Sequence, residues 1–183
     1  MERPGVEEVL DFWFADGMAS QWFRSSPELD HEICRRFLAT WEAARDGRLA
    51  DWEQTAEGAC ALVIVRDQFP LNMFRGEPRS FATEAAARDV TCRAIEKGFD
   101  RDLEDARKAF LYMPLMHSED IADQDRSVAL YEAAGLEHNL KFARHHRELI
   151  RRFGRFPHRN AILGRENTAE EEEYLRSEGA FLG

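Results

Sequence analysis

Ala59-Cys60-Ala61-Leu62-Val63-Ile64-Val65 decides the fold class of this chain. Seven apolar residues, three of them β-branched, read equally well as a buried strand or as a helix enclosed on all sides, and periodicity cannot separate the two. Pairing can. A lone strand leaves its own N–H and C=O groups unsatisfied, and no second strand candidate exists in the remaining sequence. The run is therefore expected to be a central helix, in an all-α protein.

Outward from this run, helical periodicity dominates. Val6, Val9, Leu10 and Trp13 recur at helical spacing over residues 6 to 14. Pro27 opens a second segment in which Ile33, Phe37 and Trp41 repeat every four residues, ending at Gly47. A helix is expected from Thr83 to Lys97, with Gly98 as a left-handed cap. Further helices are expected over 103 to 112, over 121 to 134 before Gly135, and over 138 to 153 before Gly154. Thr168 and Glu171 have capping-box spacing and start a last helix through Leu175. The expectation is an all-α protein of seven to nine helices with short connections, in a single domain over residues 1–183.

Composition narrows the function classes. With 44% hydrophobic and 33% charged residues the chain is globular. No apolar run is long enough to span a membrane, and the start MERPGVEEVL lacks the pattern of a secretory leader. Cys34, Cys60 and Cys92 are odd in number and far apart, which fits reduced, buried thiols and a cytoplasmic location. A pI near 5.1 argues against nucleic acid as a partner. One segment goes the other way. Between Arg144 and Arg165 stand seven arginines and a single acid, Glu148, a local charge of +6 in a chain of net charge −10. This keeps a small anionic ligand or a peptide carboxylate open.

Three polar stretches interrupt the apolar helices. The first, residues 66–76 (RDQFPLNMFRG), supplies Asp67, Gln68, Asn72 and Arg75 as candidates. The second, residues 113–120 (MPLMHSED), supplies His117, Glu119 and Asp120, and is expected at a helix start. The third, residues 153–165 (FGRFPHRNAILGR), supplies Arg155, His158, Arg159, Asn160 and Arg165. The Phe-Pro and Asn of the first stretch echo those of the third. Each Phe-Pro is expected to end a helical run, because proline disfavours helix at the residue before it.

These three stretches in this order, with FWF at residues 12–14, resemble the bacterial family catalogued as domain of unknown function 924, from about Val9 to Phe181. The resemblance implies stacked helical hairpins similar to tetratricopeptide repeats, with a groove. It implies no established activity. The chain departs from the family pattern at Leu71, where arginine is expected, and at Arg66, where an apolar residue is usual.

Three readings of the candidates stay open. They line an Arg/His/Asp groove for a small anion or acidic peptide end, with the short helix after Pro157 adding free N–H groups. Alternatively, His117, Asp67 or Glu119 acts as a general base and Arg155 and Arg159 stabilise an anion, as in a metal-free hydrolase. Or the polar centre is structural, with Asp67, Glu119, Asp120 and Asp123 pairing with Arg155, Arg159 and Arg165, inside a helical interaction module or homodimer. No HExxH or Cys/His spacing calls for a metal, and no cofactor is implied. His146 falls on the stripe of Phe142, Leu149, Ile150 and Phe153 and is expected in the core; His138 and His145 are expected at the surface.

Overall fold

The computed structural model describes residues 3–24 and 26–181; residues 1, 2, 25, 182 and 183 of the expected single domain lie outside the described residues. Ten α-helical segments appear among the described residues: α1 (Val6–Trp13), α2 (Pro27–Arg45), α3 (Ala56–Val63), α4 (Phe69–Met73), α5 (Glu84–Glu96), α6 (Asp105–Met116), α7 (Ile121–Ala133), α8 (Glu137–Phe153), α9 (Asn160–Leu163) and α10 (Ala169–Leu175). Short 3₁₀ turns join several of them. The described residues hold no strand, and no described helix is long and apolar enough to cross a membrane. The protein is all-α.

The expected 1–183 domain divides into two compact units. Unit 1 comprises residues 1–75 and 79–114, and unit 2 comprises residues 76–78 and 115–183. The boundary falls inside α6, at Pro114. Against the expected span of 103 to 112, this helix starts two residues later and runs four residues further. Proline removes one backbone donor and crowds the preceding turn, yet the buried stretch from Phe110 to Met116 keeps the helix intact.

In unit 1 the deciding run is helical, as the pairing argument requires. Ala59 to Val65 are all 0 or 1 % exposed. Thr55 caps α3 by accepting the Gly58 N–H. Gly58 has a steric role, since a Cβ there would lie 2.1 Å from the Trp52 carbonyl oxygen. Aromatic rings close the core in edge-to-face and tilted pairs, with Phe37–Phe69 centroids 4.7 Å apart, Trp13–Phe69 5.6 Å and Trp13–Phe110 5.6 Å.

Between α3 and α4 the helix widens into a π turn over Ile64–Gln68. Such single-turn bulges leave a residue out of the ordinary hydrogen-bond ladder. Here the Arg66 carbonyl accepts the Thr83 hydroxyl at 2.6 Å, and Trp41 Nε1 donates to that same hydroxyl oxygen at 3.1 Å. Phe69-Pro70 does not end the helix, contrary to expectation. Instead Pro70 occupies the first turn of α4, where a missing N–H costs least.

Unit 2 is built on an α7–α8 hairpin. The partners Glu132–Arg144 near the connection and Asp125–Arg151 away from it make the pair antiparallel. Gly135 and Gly154, at φ of 68° and 69°, close α7 and α8 in the left-handed region that glycine tolerates. A small apolar cluster of Leu149, Ile150, Phe156 and Tyr174 ties α8 to the C-terminal segment, with Phe153, Leu175, Ala180 and Phe181 against it.

Candidate functional site

The first stretch lies in unit 1, and most of its candidates have partners there. Asn72 donates to Asp30 at 2.7 Å, and Arg75 grips the same carboxylate through Nε and Nη2 at 2.8 and 2.9 Å. Asp67 is fully buried and accepts Gln68 Nε2 at 2.6 Å, a nitrogen that also reaches Met113 Sδ at 3.2 Å. Arg66 is 7 % exposed. It donates through Nη2 to the Ala44 carbonyl at the C-terminal end of α2, 2.7 Å away, and through Nη1 to the Ala86 carbonyl at 3.4 Å. Burial lowers its pKa, while the nearby Glu53 favours the charge. The negative end of α2 gives this guanidinium a structural role.

The second and third stretches meet within unit 2. Residues 113–120 lie at a helix start, as expected: they span the end of α6 and the cap of α7. Asp120 is that cap, accepting the Ala122 N–H at 2.8 Å, and Ser118 donates to Asp123 at 2.7 Å. Glu119 reaches the third stretch. Its carboxylate takes both arms of Arg165 at 2.7 and 2.9 Å and the Phe156 N–H at 2.8 Å. Burial opposes its charge, but the Arg165 fork and the Phe156 N–H outweigh it and hold the carboxyl below its usual range. Such a group is a poor general base at neutral pH. Arg165 Nε completes the knot by donating to Asn160 Oδ1 at 2.8 Å.

Arg155 pairs with a residue outside the expected set. Glu171, the glutamate of the expected capping box, is 1 % exposed and accepts Arg155 Nε and Nη2 at 2.7 and 2.8 Å. The capping box of α10 also holds it, through the Thr168 N–H at 2.7 Å. Arg155 first, and the Thr168 N–H after it, pull the Glu171 carboxyl down to about 2. Four of the remaining arginines are answered as well. Arg144 meets Glu132, Arg147 and Arg151 meet Asp125, and Arg152 meets Glu170. The local +6 is thus largely neutralised by acids of the same unit.

What stays distinctive is a group of side chains around the buried Phe156 ring. The Arg159 guanidinium, on a residue 7 % exposed, lies 4.8 Å from its centroid. His146 and His158 stand at centroid distances of 5.4 and 5.6 Å. His146 is in the core, as expected, and donates Nδ1–H to the Phe142 carbonyl at 2.9 Å. Burial first, then the neighbouring His117, push its pKa to about 3. Burial, then Arg159 and His117, push that of His158 to about 4. Both imidazoles are neutral at pH 7. The Nδ1 of His158 is buried and has no hydrogen-bond partner. The helix expected to offer free N–H groups after Pro157 is the single turn α9, too short for an appreciable dipole.

Residues 9–179 match the family described as "Bacterial protein of unknown function (DUF924)". The chain belongs to this family. A solved structure of a protein of unknown function from Agrobacterium tumefaciens is similar over 93% of this chain and 96% of its own, at 39% identity and a TM-score of 0.89. No functionally curated protein matches the chain. Family membership thus supplies a fold and no activity. Arg66 and Leu71, where departures from the family pattern are expected, differ in surroundings: Arg66 is enclosed among helix ends, whereas Leu71 is half-buried.

Proposed function

We propose that this protein binds a small anion, a carboxylate or a phosphate, in unit 2 at His158 and Arg159. One observation carries the reading: the Nδ1 of His158 is buried without a hydrogen-bond partner, beside a buried guanidinium. Buried polar atoms normally have partners, and an orphan in a native fold calls for one. A neutral imidazole can present Nδ1 as N–H to an anionic oxygen, while the arginine supplies charge and a planar fork. Arg155 and Arg165 are already engaged with Glu171 and Glu119 in the same unit. The three free cysteines, one of them the fully buried Cys60, fit a reducing cytoplasm.

The test follows the imidazole signals of His158 by NMR while inorganic phosphate or acetate is added, with chloride as the ionic-strength control. The reading expects saturable shifts with a Kd of about 1 mM or tighter. It expects the response to vanish in Arg159→Gln. Shifts no larger than those from chloride would overturn it.

A further inference from the structure

Beyond α10 the chain leaves the helix and returns along unit 2, bringing Phe181 onto the histidines. Its ring centroid lies 4.7 Å from that of His146 and 5.0 Å from that of His158, with His145 at 6.2 Å. The interplanar angles of 63°, 81° and 67° are edge-to-face arrangements, which favour an aromatic ring over an aliphatic group of similar size. His146 and His158 also meet the Phe156 ring, and Phe156 carries the Arg159 guanidinium. A ring held by imidazoles therefore adjoins an imidazole with an unpaired nitrogen and a cation.

The attachment of Phe181 is light. Its N–H donates to Tyr174 Oη at 2.8 Å and Ala180 N–H donates to Ser177 at 3.2 Å, while residues 176–179 are exposed. Segments with so few backbone bonds and so little burial open at low free-energy cost. Phe181 is not deeply buried itself.

We infer that the ligand of this site is an aromatic carboxylate whose ring takes the place of Phe181 between His146 and His158, and whose carboxylate meets His158 and Arg159. This rests on the anion-binding reading above. Phe181 is then an internal stand-in that competes with the ligand, and the fraction of molecules in which the segment is withdrawn sets the apparent affinity.

The experiment titrates wild type and Phe181→Ala with benzoate and phenylacetate, with acetate as the anion lacking a ring, following the His146 and His158 imidazole signals. The inference expects the aromatic acids to bind the variant at least about tenfold more tightly than wild type, and acetate to change by less than about twofold. Phe181→Leu, which keeps apolar bulk against the Tyr174 cluster, guards against a loosened α10 and should show a smaller gain of the same sign. Equal benzoate affinity in wild type and variants, or the same gain for acetate, overturns the inference. If acetate and phosphate bind wild type yet benzoate gains nothing, the anion-binding reading survives and only the aromatic assignment falls. If no anion moves His158 in any protein, both fall.

Discussion

Replacing Arg165 by glutamine tests whether the basic segment holds unit 2 together. The wild-type guanidinium makes four hydrogen bonds: two to Glu119 at 2.7 and 2.9 Å, one to Asn160 Oδ1 at 2.8 Å and one to the Phe156 carbonyl at 3.2 Å. The two charged side chains are 23 % and 29 % exposed, between the extremes of surface and buried pairs. Exposed pairs contribute about 0–1 kcal/mol, and breaking a buried one costs about 3–5 kcal/mol. The geometry here is bidentate and supported, so about 2–3 kcal/mol is expected for Arg165→Gln. For a chain of this length that lowers the unfolding midpoint by roughly 4–12 °C. Thermal unfolding observed by circular dichroism gives the shift, and hydrogen exchange at the Phe156 amide locates it. A double-mutant cycle with Glu119→Gln isolates the pair, because neighbours in one network couple by about 0.5–3 kcal/mol. A midpoint within about 1 °C of wild type, with unchanged exchange and no coupling, would refute the structural role of this knot.

Three further outcomes are expected. Arg66→Met should leave the stability of unit 1 within about 1 kcal/mol of wild type, since an apolar side chain avoids the desolvation of a buried cation; the two carbonyls keep their helical partners, and urea unfolding that shows a larger loss would contradict this. Gly58→Ala should destabilise by about 1–3 kcal/mol, because the new methyl group meets the Trp52 carbonyl at 2.1 Å; an unchanged urea midpoint would be incompatible with that contact. Stability should fall as pH drops from 7 to 5. His146 and His158 titrate at about 3 and 4 when folded, below the ordinary value near 6.5. Over that interval the unfolded chain binds more protons, so the contribution is complete above about pH 6.5 and is lost as pH falls toward the folded values. Glu171, held near 2, loses its contribution mainly below pH 5, which leaves the upper window to the histidines. His146→Gln should flatten the slope between pH 7 and 5; a slope equal to wild type would discount the histidine's part.

Much of the helical layout is legible without coordinates, for reasons of local chemistry. Glycine after a periodic apolar stripe marks the ends of α5, α7 and α8, and at each the backbone is left-handed at Gly98, Gly135 and Gly154. The capping box of Thr168 and Glu171 fixes the start of α10. The illegible parts are those that depend on the tertiary environment. Proline punctuation at Pro70 and Pro114 suggests helix ends, but burial sustains the helix through both. The two Phe-Pro sequences look alike as strings. Yet Phe69 is helical, whereas Phe156 is extended and leads into the 3₁₀ turn Pro157–Arg159.

The site is legible as a set of residue types, and only partly as pairs. Glu119 with Arg165 is among the expected pairings. Arg155 with Glu171, and Arg75 with Asp30, join residues far apart in sequence, and no local signal names such partners. The capping box contains one hint: a glutamate bound to a backbone N–H has its carboxylate turned toward the chain, where an arginine can find it. That His158 is neutral at pH 7, with its Nδ1 unpaired, comes from packing around Phe156 and has no counterpart in the string of letters.

The π turn at Ile64–Gln68 constrains the length of the gene product at that point. A helix running from Ala56 to Met73 could absorb the deletion of one residue there by reverting to the ordinary α-helical ladder, with every backbone bond restored. The wide turn spends one extra residue on a single circuit of the axis, so its loss would leave Phe69 near its place against Phe37 and Trp13. Asn72 would likewise stay near Asp30. The cost would be local, at the Arg66 carbonyl that accepts the Thr83 hydroxyl and, through it, at Trp41. The surplus residue is thus kept for the contact it makes, in a segment whose two ends would tolerate a shorter chain.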